Sequence, residues 1–449
     1  MEFLDGTIIV TALPAMAASF GTEAVTLHAG ITAYLLTVAV FILPGGWAAE
    51  RFGPRRVFSA AIATFTLGSI LCGLASSAEA FVAARVLQGV GGAMMVPVGR
   101  LVVLRTTAKP DLMRAIALLT WPGLTAPLLG PPLGGFIAMH LSWRWIFLIN
   151  VPLGLAGFAL ALRLVPPFLA TARRPFDWRG FGLGAVFLLC LTLAMDLLAG
   201  AGAPWPGILL LGAGAAVSGL LLLRHVRRHE HPLLDPAPFA VPSFRAVMTT
   251  GTAARLLIST MPFLLPLLFQ LGFGLDPFRA GLLVLALFVG NLGIKPFTSA
   301  VLRRWGFRTV LAGNGLVQAV TMFGCAQLTP GTPVVAVVLL LVISGASRSL
   351  QFTALGTLAF ADVPERWMAG ANTVFSLAFQ LSLGLGVALG AVTLRATGSV
   401  LVAGGPPSLA AFHATFGVLA VLMLLTSWAG LRLAEEAGSV VSGHSAALR

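Results

Sequence analysis

The chain has 449 residues, of which 58% are hydrophobic and only 10% are charged. Soluble domains are about half apolar and a quarter charged, so this composition excludes a soluble globular protein and indicates a polytopic membrane protein. The net charge is +13, and most of the basic residues lie in the loops between the apolar segments. Basic residues in such loops determine the orientation of a protein in the membrane. We therefore expect a lipid bilayer, and not nucleic acid, as the partner.

Fourteen apolar segments are long enough to cross a bilayer, which requires about 20 residues each. The fold class predicted from them is an all-α membrane protein with 14 transmembrane helices. The predicted spans lie near residues 1–20, 28–49, 57–75, 80–104, 114–138, 145–165, 180–200, 206–226, 246–271, 280–300, 309–327, 334–358, 367–394 and 410–432.

The basic residues alternate from loop to loop. With the N-terminus in the cytoplasm, 21 of the 28 Lys and Arg residues, Arg100 among them, fall on the inner side, and Arg144, Arg279 and Arg395 fall outside. This asymmetry predicts that both termini are cytoplasmic. The remaining basic residues lie within spans, where a charge normally faces a protein interior or a water-filled cavity; they are Arg85, Arg255, Lys295 and Arg348.

Two short loops resemble each other. Residues 45–57, GGWAAERFGPRRV, match residues 298–310, TSAVLRRWGFRTV, so that Gly53 aligns with Gly306 and Arg55 with Arg308. Each loop joins the second and third helix of its half. We predict two related six-helix bundles, at 1–165 and 236–432, with a two-helix insert and its linkers at 166–235 and a cytoplasmic tail at 433–449. Such repeats recur in transporters whose substrate binds between the halves.

Four motifs together resemble the major facilitator superfamily, in its fourteen-helix branch of drug:proton antiporters. They are LDGTIIVTALP at 4–14, GWAAERFGPRR at 46–56, ARVLQGVGGAM at 84–94 and GPPLGG at 130–135. The loop motif departs from the family pattern at Ala48, Glu50 and Pro54. The resemblance implies the major facilitator fold, with transport by alternating access of a site between the two bundles.

The resemblance also implies roles for particular residues. Asp5 takes the acidic position of the first-helix motif, and Arg85 matches the arginine of the fourth-helix pattern R-x-x-Q-G. Independently of the resemblance, Glu50 and the arginines beside it can make and break ion pairs, which predicts a conformational latch; the alternative is that the arginines only set the topology. The residues of the latch are Gly46, Glu50, Arg51, Gly53, Arg55, Arg56, Arg304 and Arg308. The fifth helix would supply a bent seam between the bundles that is typical of antiporters, at Gly130, Pro131, Gly134 and Gly135.

Asp5 is the leading candidate for the proton carrier. Of the 15 acidic residues, only Asp5 and Asp196 lie within spans, and Asp196 is near the outer end of its helix. No histidine is central to a span. Arg85 is the expected partner of Asp5, and the alternative is a static buried ion pair with no part in coupling.

The position of Asp5 in the first helix raises a separate question. Four residues precede it, and they cover only about 6 Å of a hydrocarbon core about 30 Å thick. We favour a start that is assigned too late. The alternative is a shortened first helix, in which Asp5 lies near the inner surface and is more open to water than in similar proteins.

The substrate is less well defined by the sequence. Apolar walls with a few amides, which we assign to Gln88, Gln270, Asn291 and Gln380, suit amphiphilic drugs. Arg255, Lys295 and Arg348 face almost no buried acid, and if they line the cavity an anionic or metal-chelate substrate becomes the better fit. For Lys295 we favour a side chain that extends to the inner surface instead.

The sequence contains no phosphate-binding G-x-x-x-x-G-K-[ST] motif, no catalytic constellation and no His-rich metal site. We therefore expect no cofactor, no metal and no enzymatic activity. The prediction is a proton-driven exporter of small amphiphilic molecules in the cytoplasmic membrane, acting as a monomer. The alternatives are an exporter of anionic metabolites or metal chelates on the same fold and, less favoured, a membrane sensor that transports nothing.

Overall fold

The computed structural model describes residues 1–22, 24–167, 174–199, 205–401 and 408–443, and in these ranges the regular structure is helical, with no strand. We call helices α1 to α9 the first bundle. They are α1 (Glu2–Ile8), α2 (Leu13–Phe20), α3 (Ala24–Phe41), α4 (Gly45–Phe52), α5 (Pro54–Leu74), α6 (Ala78–Thr106), α7 (Leu112–His140), α8 (Trp145–Leu148) and α9 (Asn150–Leu164).

The insert consists of α10 (Trp178–Ala199) and α11 (Trp205–Arg228), which pack against each other. The remaining helices are the second bundle and a short tail helix. They are α12 (Pro242–Ala246), α13 (Thr252–Ile258), α14 (Met261–Leu267), α15 (Pro277–Gly293), α16 (Lys295–Cys325), α17 (Val334–Ala361), α18 (Met368–Leu401), α19 (Leu409–Gly430) and α20 (Ser439–Ser442).

The helices confirm an all-α polytopic membrane protein but not the count of fourteen spans. Among the described residues, nine helical segments are long and apolar enough to cross a bilayer, or up to 11 if each of two bent helix pairs is one span. Helix α7 coincides with the predicted span 114–138. The bent pair α15–α16 contains two predicted spans, 280–300 and 309–327, because a sharp break at Gly306 divides α16.

The two bent pairs occupy equivalent places in the two bundles. Helices α3 and α4 meet at 55°, and α15 and α16 meet at 54°. Gly53 ends α4 with φ 85° and ψ 139°, and Gly306 breaks α16 with φ 69° and ψ 169°. Only glycine adopts such angles readily. The shared bend and the shared glycine support the duplication that the loop sequences predict.

The two bundles join at one end of the molecule, which the charge pattern assigns to the cytoplasm. One hydrophobic core there combines Leu101 and Met113 of the first bundle with Phe307 and Phe360 of the second. Elsewhere, the largest cores belong to one bundle each. The space between the bundles is therefore sealed at the end that is predicted to be cytoplasmic.

Polar contacts cross the same junction. The Asn372 side chain donates to the Pro97 carbonyl at 2.8 Å, and Arg100 donates to the Ser376 hydroxyl at 3.1 Å. Arg100 is only 8% exposed: α6 continues to Thr106 and carries this arginine into the junction. Its predicted place on the inner side stays a prediction. Hydropathy averaged along the sequence shows where a span ends, but it does not show which face of the helix carries a charge near that end.

Asp177, directly before α10, ties the insert to the linker that follows it. The backbone N–H groups of Gly180 and Leu233 donate to its carboxylate at 2.8 and 3.2 Å, and the His225 ring lies 2.8 Å away. Burial of the carboxylate opposes ionisation, but these three groups together lower the pKa of Asp177. Asp177 therefore links the start of α10, the end of α11 and the linker that follows.

The glycine break in α16 can be tested by substitution. Gly306→Ala forces a side chain into φ 69°, which costs on the order of 1–3 kcal/mol. Gly313→Ala in the same helix is the matched control, because an added Cβ there meets no atom within 4 Å and alanine favours a helix. We expect a lower thermal unfolding midpoint in detergent for Gly306→Ala alone. Equal midpoints for the two variants would contradict the assignment.

Candidate functional site

The carboxylate of Asp5 lies inside the first bundle and is 1% exposed. Arg85 donates through Nη1 to Oδ2 at 2.5 Å. Gln88 and Asn150 donate through their side-chain amides to Oδ1, at 2.9 and 3.2 Å. Three donors from α6 and α9 thus surround one carboxylate of α1. Such a set stabilises the ionised form of a buried acid, since a bare charge in a low-dielectric interior is very costly.

Gln88 connects the ion pair to a third helix. Its Oε1 accepts from Arg85 Nη1 at 2.6 Å, and its Nε2 donates to Ser69 of α5 at 2.8 Å as well as to Asp5. Gln88 is fully buried, with both amide atoms engaged in this cluster. Gln88 therefore belongs to the ion-pair cluster in this arrangement, and its place in the wall of a substrate cavity stays a prediction.

The guanidinium of Arg85 is also held by aromatic rings. It lies 4.1 Å from the Tyr34 ring centroid and 5.8 Å from that of Phe147, within the range of cation–π attraction. Its Nε and Nη2 make no hydrogen bond to a described residue. The positive charge is thus stabilised on its faces, while part of its donor capacity stays unused.

Small residues allow the helices to come close enough for these contacts. A Cβ on Gly68 of α5 would lie 2.7 Å from the backbone of Gln88, and one on Gly91 of α6 would lie 2.4 Å from the backbone N of Phe65. A Cβ on Gly154 of α9 would lie 2.0 Å from the Thr66 hydroxyl. The fourth-helix motif therefore supplies both the charged side chain and the glycine that brings α5 beside it.

The position of Asp5 differs from the one expected for a shortened first helix, which would place the carboxylate near the inner surface. Asp5 contacts Arg85 and Gln88, which lie well inside the 29-residue helix α6, and it is buried. It does not lie near the inner surface, and it is not a carboxylate open to water. The partner Asn150 was not anticipated, although a lone amide next to the apolar run WRWIFLI is the kind of signal that could have revealed it.

A second charged cluster lies against the junction of the bundles. Arg255 of α13 is 1% exposed, and its Nε, Nη1 and Nη2 have no hydrogen-bond partner among the described residues. It lies 4.8 Å from the Phe375 ring centroid and 5.4 Å from that of Phe379. Arg100 lies 4.9 Å from the same Phe375 ring. Two guanidinium groups thus share one aromatic ring.

The other residues predicted for the cavity are spread over several helices. Arg348 is half-buried over Phe352, at 5.3 Å, and Asn291 of α15 is buried with no hydrogen bond from its amide to a described residue. Gln270 lies in a π-helical turn, Leu268–Gly272, and Gln380 is half-buried on α18.

Lys295 differs from its predicted orientation. Its Nζ donates to Thr120 and to Thr353, both at 2.8 Å. It therefore joins α7 of the first bundle to the second bundle and does not extend to the surface.

Comparison with known proteins identifies the family. Residues 1–178 and 178–387 match the family model of the Major Facilitator Superfamily. The chain belongs to the Major Facilitator Superfamily. It is 38% identical to the multidrug resistance protein MdtD of Cronobacter sakazakii over 97% of this chain and 93% of the relative. It is 37% identical to MdtD of Serratia proteamaculans over 97% of this chain and 91% of the relative.

Solved structures of this superfamily share the fold. The proton:xylose symporter XylE bound to 6-bromo-6-deoxy-D-glucose superposes with a TM-score of 0.66 at 16% identity, over 98% of this chain and 94% of that one. The human organic anion transporter MFSD10 gives 0.66 at 16% identity, over 95% of each chain. These structures show the fold alone; membership of the family and the MdtD relatives make the chain a multi-pass secondary transporter of a small molecule, and not an enzyme.

The facilitator loop motif makes different contacts from those expected. Arg55 donates to the Leu162 carbonyl near the end of α9, and Arg308 donates to the Leu431 carbonyl after α19 at 3.0 Å. Each arginine thus binds carbonyls at the C-terminus of the sixth helix of its own bundle, where backbone acceptors are unsatisfied and the helix dipole is negative. Arg308 also pairs with Glu435.

Glu50 makes no ion pair with the arginines of its loop in this arrangement. Four ion pairs occur within the described residues, and none includes Glu50. It lies instead in a small cavity with Arg174, Asp235 and Gly370. Gly46 packs against Thr373 of the second bundle, where a Cβ would lie 2.3 Å from the hydroxyl. The motif thus lies at the junction of the bundles, and its role as a latch stays a prediction.

Helix α7 carries the predicted antiporter seam. It runs unbroken through GPPLGG and packs against α1 on one side and against α15 and α17 of the second bundle on the other. Gly130 and Gly134 are buried, whereas the burial of Pro131 and Gly135 lies outside what the structure describes. Helix α7 therefore lies between the bundles, and the role of GPPLGG as a seam stays a prediction.

The capping contacts of the loop arginines give a stability test. Arg55→Gln and Arg308→Gln each remove a charge from a helix C-terminus, and we expect a loss of about 1 kcal/mol in the free energy of unfolding. Arg56→Gln and Arg304→Gln are the controls, because both side chains are exposed. Thermal unfolding in detergent measures the difference. A pure latch would leave the midpoints of all four variants equal.

Proposed function

We propose that this chain is a proton-driven antiporter that exports small amphiphilic molecules across the cytoplasmic membrane. The observation that carries the proposal is the buried ion pair of Asp5 and Arg85, with Gln88 and Asn150 bound to the same carboxylate. Among the acids of the described spans, Asp5 has the lowest exposure, at 1%. A proton that couples to transport requires such a group, because an ionisable side chain inside the membrane is too costly to keep without a role.

Protonation of Asp5 changes the balance of the cluster. The ionised carboxylate accepts three hydrogen bonds, whereas the protonated acid carries no charge and one oxygen becomes a donor. Arg85 then loses its counter-ion, and an unpaired buried charge costs about 3–5 kcal/mol. We infer that this free energy moves α1 relative to α6, so that the carboxyl faces the outside when it takes up a proton and the inside when it releases one.

The packing of the bundles supports alternating access in this direction. They are sealed at the end predicted to be cytoplasmic, so Asp5 would take up its proton from the outer side in this arrangement. The loop motif would hold each bundle together as it rocks, with Gly46 and Glu50 at the junction that opens. The seam at Gly130, Pro131, Gly134 and Gly135 would slide against the second bundle. Both termini would lie in the cytoplasm, and one chain would suffice.

Proton coupling is tested with Asp5→Asn in proteoliposomes. A pH gradient should drive export of fluorescent amphiphiles by the wild-type protein and should drive none by Asp5→Asn, whereas exchange down the substrate's own gradient should persist in the variant. Persistence shows that the variant is folded. The matched control is Asp276→Asn, an exposed helix cap that asparagine replaces well. Substantial pH-driven export by Asp5→Asn would sink the assignment.

A second candidate substrate class is supported by Arg255. This guanidinium is buried without a hydrogen-bond partner among the described residues, close to Arg100 and with no acid beside it in the ion pairs of the described chain. A carboxylate or a negatively charged metal chelate would complete its hydrogen bonds. The same fold would then export anions.

Arg255→Gln distinguishes the two substrate classes. A hydrogen bond to a charged group contributes about 1.5–3 kcal/mol, so the KM for an organic anion should rise about 10- to 100-fold if Arg255 binds it. The KM for an amphiphilic cation should not rise. Arg279→Gln is the control, since its side chain is 75% exposed. An unchanged KM for every transported anion would remove Arg255 from the substrate site.

A further inference from the structure

Three side chains with metal-binding groups meet on the insert, away from the ion-pair cluster. Asp177 stands directly before α10, whereas His225 lies in the last turn of α11 and His229 just beyond it. One ligand atom of each residue lies within 4.8 Å of those of the other two. No metal site is expected from the sequence, because Asp177 is 48 residues from His225 and only the fold brings them together.

The carboxylate of Asp177 is already fixed in position. Its side chain is 2% exposed, and the N–H groups of Gly180 and Leu233 each donate to one of its oxygens. His225 Nε2 lies 2.8 Å from Oδ1 and 3.0 Å from Oδ2. The Asp177 carboxylate and the His225 imidazole are therefore held in position before an ion binds. Both can bind the ion directly, or one can bind it while the other orients that ligand.

His229 completes the group from the solvent side. It follows His225 by four residues, which places both rings on one side of the chain, and their centroids are 4.8 Å apart with an interplanar angle of 33°. This spacing is the one that presents two imidazoles to a single ion in helical zinc motifs. His229 is exposed, so an ion can reach the group. The N–H of His231 contacts its Nδ1 at 3.2 Å, and an ion bound there would replace this contact.

We propose that Asp177, His225 and His229 bind a divalent transition metal ion of the zinc class. Two imidazole nitrogens and one carboxylate oxygen suit Zn²⁺ or Co²⁺, whereas Ca²⁺ and Mg²⁺ prefer oxygen ligands alone. Bonds of about 2.0–2.1 Å in a tetrahedral site place the ligand atoms roughly 3.3 Å apart. The separation between His225 and Asp177 is 2.8 Å, and all three ligand atoms lie within 4.8 Å of one another, so small side-chain rotations form the site and leave the fourth position to water.

The surrounding charge makes Asp177 decisive for binding. Arg224, Arg227 and Arg228 lie in the same turns of α11 and repel a cation. The carboxylate is the negative charge that offsets them within the group. A bound ion would tie the start of α10 to the end of α11 and, through the Leu233 N–H on the same carboxylate, to the linker that leads into the second bundle.

The test is a metal titration of the full-length protein, purified without a histidine tag and stripped with EDTA. One equivalent of Co²⁺ should produce the intense visible absorption of a four-coordinate site, and Zn²⁺ should abolish it. Asp177→Asn keeps the cap on Gly180 but removes the charge. We expect this variant and His229→Asn to bind at least about 10- to 100-fold more weakly. His140→Asn, at an exposed histidine on α7, is the control and should bind like the wild-type protein.

His229→Asn separates metal binding from folding, because this exposed side chain can be replaced without disturbing the buried Asp177–His225 pair. Equal Co²⁺ spectra and equal Zn²⁺ affinities for the wild type and His229→Asn would overturn the proposal. Absence of a Zn²⁺-sensitive Co²⁺ spectrum in the wild type would do the same. The titration involves no transport, so its outcome is independent of the function proposed above.

Discussion

The contact between the Asp5 carboxylate and Arg85 sets the conditions for the rest of the first bundle. Each ion loses several kcal/mol of hydration when it is buried, and their attraction compensates only if the geometry is good and the remaining hydrogen bonds are made. Gln88 and Asn150 supply those bonds, and Tyr34 covers the guanidinium. The helices that carry these side chains must therefore approach closely, which explains the glycines at their crossings.

Much of this arrangement was readable from the sequence. The paired loops predicted equivalent turns at Gly53 and Gly306, because glycine is the residue that readily takes a positive φ. Both residues have one in the structure, 85° and 69°. The choice of Asp5 followed from the scarcity of acids in the spans. A membrane segment tolerates so few ionisable groups that each one is informative.

The parts that were missed depend on rotation about a helix axis and on distant backbone atoms. Hydropathy locates Arg100 near the end of a span but cannot say that it faces the second bundle, where Ser376 accepts from it. The carbonyls that bind Arg55 and Arg308 belong to residues more than 100 positions away, and a carbonyl leaves no trace in the sequence. Asn150 reaches Asp5 only because Gly154 lets α9 lie against α5.

The proposed assignment of the proton to a single carboxylate, that of Asp5, has an electrical consequence. With one carrier, each cycle of the proposed mechanism moves one proton inward, so the export of a neutral molecule moves one net charge across the membrane. A monovalent cation would be exchanged without net charge movement, and a monovalent anion would move two charges. Each net charge that moves inward contributes about 2.3 kcal/mol per 100 mV of membrane potential. Export of a monovalent cation is therefore driven by the pH difference alone, whereas export of a neutral molecule or an anion is also driven by the voltage.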